Sequence, residues 1–263
     1  MVEKIQVLDA NAKKTSDLEL PVQFDEAIRP DLITRSVLSL QSRARQAYGG
    51  DPKAGMRHSS KLSKRRRKYR GSYGFGISRV NRKIHTRRGT RFYWVGAFSP
   101  QTKGGRRAHA PKAEKQFAQK INAKENRKAI RSAIAAGLNS ECVALRGHKV
   151  PELFPFALDN SFEELQKTSD VQKAFVALGL SDELNRASSK NVRVGRGKSK
   201  GPLVVVSKEC PLLKSAANIA GVDIVECHTL NAELLAPGAD LGRLTLWTKA
   251  AVEKVAENGL FAQ

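Results

Sequence analysis

The chain has 263 residues, enough for one sizeable core or two small ones, and its 40% hydrophobic content excludes a wholly disordered chain. Its 47 Lys and Arg against 25 Asp and Glu leave a formal charge of +22, and a pI near 10.2 sets most ordinary metabolic enzymes aside; so large an excess implies a polyanionic partner, nucleic acid first. Three cysteines, Cys142, Cys210 and Cys227, make no disulfide framework and fit a reducing compartment and small core positions.

Residues 1–9 lack the uninterrupted apolar core of a signal peptide. The longest run without a charge, Phe92 to Thr102, is eleven residues, where a membrane span needs about 20. A soluble intracellular chain is expected. Ile5–Leu8 reads as a short strand and Leu18–Val22 as a weaker one. Pro30 opens a helix in which Leu32, Ile33, Val37, Leu38 and Leu40 make an apolar side, with Gly49 as its stop.

The next stretch concentrates the charge. Arg43 to Lys112 holds 21 Lys and Arg against one acid, Asp51, while the other 193 residues hold 26 basic and 24 acidic groups. The same stretch carries ten of the twenty glycines and eight of the sixteen aromatics, and its apolar residues keep neither the helical nor the strand period. Like charge at this density is expected to keep it extended and solvated. Two readings fit, a flexible basic linker and an arm that orders inside a polyanion. The aromatics favour the arm, since Arg forks grip phosphates and rings offer stacking faces to unpaired bases.

Beyond the arm, Asn122 with Glu125 predicts a capped helix whose apolar face is Ala129, Ile130, Ala133 and Ile134, and whose basic face is Arg127, Lys128 and Arg131. Ser161-Phe162-Glu163-Glu164 reads as a capping box, and Val171, Phe175 and Leu178 repeat at helical spacing before Gly179. Leu203–Val206, Asp223–Cys227 and Leu244–Trp247 read as buried strands, with helices over Leu212–Ala220 and Lys249–Glu257. A second basic loop runs from Lys190 to Lys200. Helices between short apolar strands predict an α/β fold, a three-layer, mostly parallel sheet flanked by helices, with a long extended basic internal loop. The predicted division is a globular domain over 1–48 and 113–263, with the loop at 49–112 inserted in it.

Catalytic chemistry finds little to stand on. Gly197-Lys198-Ser199 looks like the end of a P-loop, but Val192 stands where that motif needs glycine. Cys227-His228 is a lone adjacent pair, so no metal, cofactor or small-molecule substrate is expected. His58, His85 and His109 sit in the arm as further stacking or phosphate-facing groups. The rival class is an RNA-modifying enzyme with a basic gripping arm. It would need a glycine turn after the first strand, and Val7 to Ala12 has none. A DNA-compacting protein would rarely carry so large a near-neutral α/β core.

The stretches Arg29-Pro30-Asp31-Leu32-Ile33, Tyr48 through Arg57 and Gly105 through Lys112 resemble the large-subunit ribosomal protein L-four family, in its archaeal form. Asn126–Ala136 and Pro237 through Gly242 to Trp247 are similar to it as well. The Lys64–Lys68 run and Phe92-Tyr93-Trp94 are richer than the resemblance to the archaeal form leads one to expect. The resemblance implies one copy in a cytoplasmic large subunit, a globular domain on its surface, and a loop running through rRNA to the nascent-peptide exit tunnel. There it would meet another loop-bearing ribosomal protein. About 60 residues folded out and back span at most roughly 100 Å, ample for that path. On this reading the rRNA-binding residues are Lys53, Arg57, Lys61, Lys64, Arg65, Arg66, Arg67, Lys68, Arg70, Arg88, Arg91, Lys103, Arg106, Arg107, Lys112, Arg193, Arg196 and Lys198. Arg79, Arg82 and Arg87 would face the tunnel from a tip at residues 77–91, and Tyr69, Tyr73, Phe75, Tyr93 and Trp94 are stacking candidates.

Overall fold

The computed structural model of the protein describes residues 4–68, 71–74, 76–84, 87–92, 95–189 and 200–262. The readings placed on Tyr69, Arg70, Phe75, His85, Tyr93 and Trp94, and on Arg193, Arg196 and Lys198 with the loop around them, lie outside those residues. In chain order the strands are β1 (Lys4–Leu8), β2 (Lys14–Glu19), β3 (Ser60–Lys61), β4 (Arg82–Lys83), β5 (Arg87–Arg88), β6 (Arg91–Phe92), β7 (Phe156–Leu158), β8 (Leu203–Val206), β9 (Asp223–Glu226) and β10 (Thr245–Thr248). The helices are α1 (Pro30–Ala44), α2 (Ala123–Leu138), α3 (Ser140–Leu145), α4 (Thr168–Ala177), α5 (Ser181–Ser188), α6 (Leu212–Ser215), α7 (Ala232–Leu235) and α8 (Lys249–Glu257). Two compact units result, one of residues 1–44 and 118–263, the other of residues 45–117.

The first unit is built on a six-stranded sheet in the order β2-β1-β7-β10-β8-β9. Every pairing is parallel except the antiparallel edge pair β1–β2. Alternate strand residues feed two cores. Val7, Leu203, Val205 and Trp247 pack with Ile33 and Val37 of α1, Ile130 and Ile134 of α2, and Val252 and Val255 of α8. Phe156, Leu158, Val204, Val206 and Leu246 pack with Val143 of α3, Phe175 of α4, Leu184 of α5 and Leu212 of α6. Helices therefore cover both faces, which is why β8 reads as an unbroken apolar run.

Several predicted boundaries move, each for a local reason. The second strand is Lys14–Glu19 rather than Leu18–Val22. Its ladder with β1 is held by backbone pairing, and on this edge only Leu18 is buried, while Val22 begins a 3-10 turn. Helix α1 ends at Ala44, five residues before Gly49, and Leu38 is 48% exposed. The contact face of α1 uses serines instead: Ser36 Oγ donates to Asn126 Oδ1 at 2.6 Å and Ser39 Oγ to Gln119 O at 2.7 Å. Asn122 precedes α2 without a side-chain cap, and Glu125 pairs with Arg35 at 2.8 Å rather than reaching back to it. Arg131 leaves the expected basic face altogether; it is buried, donating to Glu26 at 2.8 Å and to Phe261 O at 2.7 Å.

The predicted capping box at Ser161 is a 3-10 turn over Asn160–Glu164, capped by Asp159, whose carboxylate accepts from Ser161 N. The helix from Leu212 stops at Ser215 rather than Ala220. Strand β9 is partly exposed along its length because it forms the other sheet edge. Cys210 and Cys227 are buried as expected, whereas Cys142 is half-buried.

Two polar clusters brace this unit. Arg243 is fully buried, donating from Nε to Gly201 O at 2.9 Å, from Nη1 to Leu234 O at 2.9 Å and from Nη2 to Asp223 at 2.5 Å. Glu183, also fully buried, meets His148 Nδ1 at 2.6 Å, Lys149 N at 2.9 Å and both Nε and Nη2 of Arg186. Burial pulls the Glu183 carboxyl upward, but the hydrogen bonds from Arg186, His148 and Lys149 N outweigh it and hold the group at about 2.

Candidate nucleic-acid interface

Residues 45–117 contain 21 Lys and Arg and two acids, Asp51 and Glu114. The unit is closed where its two chain segments meet. Tyr48 and Phe117 stack with ring centroids 5.5 Å apart and planes at 12°, and the Arg45 guanidinium lies 4.3 Å from the Phe117 centroid. Gly50 N donates to Pro111 O at 3.1 Å, and a Cβ on Gly49 would come within 2.8 Å of Ala113 N, so this crossing needs glycine. Asp51 is used locally, accepting from Lys53 N at 2.9 Å and pairing with Arg57. Gly55, at φ +71, passes against Gly105 where a Cβ would overlap the carbonyl. His58 Nε2 meets Gly104 O at 3.0 Å.

Charge alone predicts less order than is found here. Strand β3 pairs antiparallel with β4. On the other side of the same segment, Lys83 N donates to Val95 O and Ala97 N to Asn81 O, each at 2.9 Å. β5 and β6 form a second ladder closed by Gly89 at φ +59 and Thr90. Ladders two residues long, made largely of Arg and Lys, carry no apolar alternation, so the sequence pattern hides them.

The Lys64–Lys68 run forms an exposed turn. It is held by a Ser63–Gly71 bridge and by buried Ser72, whose N and Oγ both donate to Ser63 O. Lys53, Arg57, Lys61, Lys64, Arg65, Arg66, Arg67 and Lys68 are exposed, as are Arg79, Lys103, Arg107 and Lys112. Arg82 and Arg106 are half-buried: Arg82 Nη2 donates to Ser78 O at 2.7 Å, and the Arg106 guanidinium lies 5.7 Å from the Phe98 centroid. Arg87, Arg88 and Arg91 are placed by the backbone ladder of the second hairpin. Tyr73 is half-buried beneath two guanidinium groups, those of Arg66 and Arg79. Arg45, Phe98 and Phe117 were not among the expected site residues. Arg45 and Phe117 lie far apart in sequence, and Phe98 and Arg106 are eight residues apart with no helical or strand period between them, so spacing reveals neither contact.

Such a surface presents many cations, fixed by short backbone pairings and aromatic contacts, to a line of phosphates. The α/β unit offers a different cleft. A cavity of about 740 Å³ opens past the C-terminal ends of β8 and β10, the usual ligand position in such sheets. Its buried carboxylate, Glu163, is already engaged by Ser207 N, Ser207 Oγ and Thr248 Oγ1 at 2.7–2.9 Å, a bracing role.

Comparison with known proteins decides the affiliation. The model of the Ribosomal protein L4/L1 family matches residues 18–258, across both units. The chain belongs to that family. It is 45% identical to the large ribosomal subunit protein uL4 of Nanoarchaeum equitans, over 98% of this chain and 99% of that one. With the uL4 proteins of Archaeoglobus fulgidus and Methanosphaera stadtmanae the identity is 42% and 40%, each over 97% of this chain and over 98% and 96% of theirs. These L4/L1 relatives are archaeal, the form the sequence resembles.

Proposed function

We propose that this protein is a structural constituent of the large ribosomal subunit in the cytoplasm, held there by large-subunit rRNA. The observation that carries the reading is full-length similarity to proteins named large ribosomal subunit protein uL4. The 45–117 unit supports it physically, with a formal charge of +19 and its basic side chains largely exposed among the described residues. Lysines and arginines would neutralise phosphates where RNA helices crowd together, and the α/β unit would serve as the anchor. The 49–112 segment would act as the rRNA-binding loop, reaching the exit tunnel with residues 77–91 and forming its wall beside a loop of another ribosomal protein. Arg79, Arg82 and Arg87 would supply positive potential there. The role is non-catalytic, with one copy per subunit.

Sedimentation of a native extract at moderate salt tests this. The protein should co-migrate with large subunits and leave them only at high salt. A peak at the free-protein position at moderate salt would overturn the assignment.

A further inference from the structure

Tyr73 is a stacking candidate by residue type, yet two cations occupy its ring. The Arg79 guanidinium carbon lies 4.4 Å from the ring centroid and that of Arg66 lies 5.8 Å away. Arg79 Nη1 also reaches the Tyr73 hydroxyl at 3.5 Å. The two guanidinium groups are therefore no more than about 10 Å apart, within a Debye length at 0.1 M salt, and they repel each other. They come from separate segments: Arg66 from the turn pinned by Ser63, Gly71 and Ser72, Arg79 from the stretch that leads into β4. Neither has a carboxylate partner among the described residues, and the nearby acid in sequence, Asp51, is taken by Arg57. Holding two unneutralised cations on one ring makes sense when an anion completes the arrangement from outside.

We infer that Tyr73 is a positioning residue that presents Arg66 and Arg79 together as a binding site for RNA backbone phosphate. The ring organises the cations; it does not itself stack a base. The inference rests on the rRNA-binding reading above, and it moves Arg79 from the tunnel-facing set to the anchoring set. It also gives the segment after Gly76 a fixed foot on the Lys64–Lys68 turn.

The test uses the full chain, titrated across a salt series with a large-subunit rRNA transcript and an unrelated transcript of equal length. Tyr73→Leu should bind either RNA about two- to five-fold more weakly, the loss expected for an exposed cation–π contact. Its log K against log salt should be shallower by up to about one phosphate's worth of counterion release, a slope change of roughly 0.7–0.9. Tyr73→Phe keeps the ring face and should restore both readouts to near wild type. In an Arg66→Gln/Arg79→Gln background, Tyr73→Leu should add nothing.

Wild-type affinity and slope in Tyr73→Leu would overturn the inference. So would a Tyr73→Leu loss that persists undiminished in the double-glutamine background, because the ring would then be meeting a base directly. If Tyr73→Leu misfolds, the double-glutamine variant decides alone, and an unchanged slope there sinks the site. The ribosomal reading fails separately, when the wild-type protein shows no preference for the large-subunit transcript. The slope changes would still be read on both RNAs.

Discussion

Arg243 shows what one buried cation can hold together. Its guanidinium joins Gly201 at the entry to β8, Leu234 of α7 and Asp223 of β9, all with good donor geometry. Burial pushes the group's pKa down and Asp223 pulls it back up, so the pairing depends on both partners staying in place. Arg243→Leu leaves two carbonyls without these donors and Asp223 with Lys200 alone, and should cost about 3 kcal/mol, read by denaturant unfolding of the full chain. Glu183 and His148 give the protein a pH signature. Glu183 is held at about 2 against an ordinary 4.5, so its contribution is complete above 4.5 and is lost as pH falls toward 2. Burial keeps His148 below its ordinary 6.5, so acid must also charge a group folded as neutral. Both effects run the same way: thermal stability should drop on acidification from about pH 6.5. Glu183→Gln should lower stability at pH 7 by up to about 3 kcal/mol and flatten the fall between 4.5 and 2, as measured by Tm across pH.

Single elements differ in how plainly the sequence announces them. Helix α8 is legible to the residue, because Thr248 caps it through Ala251 N and its apolar positions recur at helical spacing. Strand β8 is legible because both its faces are covered. Strand β7 is three residues, Phe156–Leu158, between a proline and an aspartate, too short for any period to register. The cap signals misled locally: Asn122 makes no side-chain cap and Glu125 pairs with Arg35, while at Ser161 the cap belongs to Asp159 and the turn is 3-10. In the basic unit, composition marked the concentration of cations, while the ladders and the Tyr48–Phe117 closure were beyond reach. The Lys64–Lys68 turn carries its own prediction. Neutralising Arg65, Arg66 and Arg67 to Gln should weaken rRNA binding and reduce the salt slope by roughly 2–3, about one per phosphate released. An unchanged slope in the titration would show that the run touches no phosphate.

Across the whole molecule, the division of charge separates a unit that carries a sheet from one that carries cations. Residues 1–44 and 118–263 hold 26 Lys and Arg against 23 acids, close to neutral, whereas 45–117 is at +19. Deleting residues 77–91 should therefore spare assembly into subunits, since Lys53–Lys68 and Arg106–Lys112 remain, while altering pausing on a stalling peptide. Normal occupancy with unaltered pausing would remove the tunnel role, and lost occupancy would make the segment an assembly element instead. The strand order has a further consequence in time. β10 lies between β7 and β8, so the middle of the sheet is the last of its strands to be synthesised. Until Thr245–Thr248 emerges, β1–β7 and β8–β9 are two half-sheets with open inner edges, and the α/β core has no way to close. The cationic segment leaves the translating ribosome long before that moment. For most of its own synthesis the nascent chain is thus a polycation without a finished fold behind it, exposed to every RNA in reach.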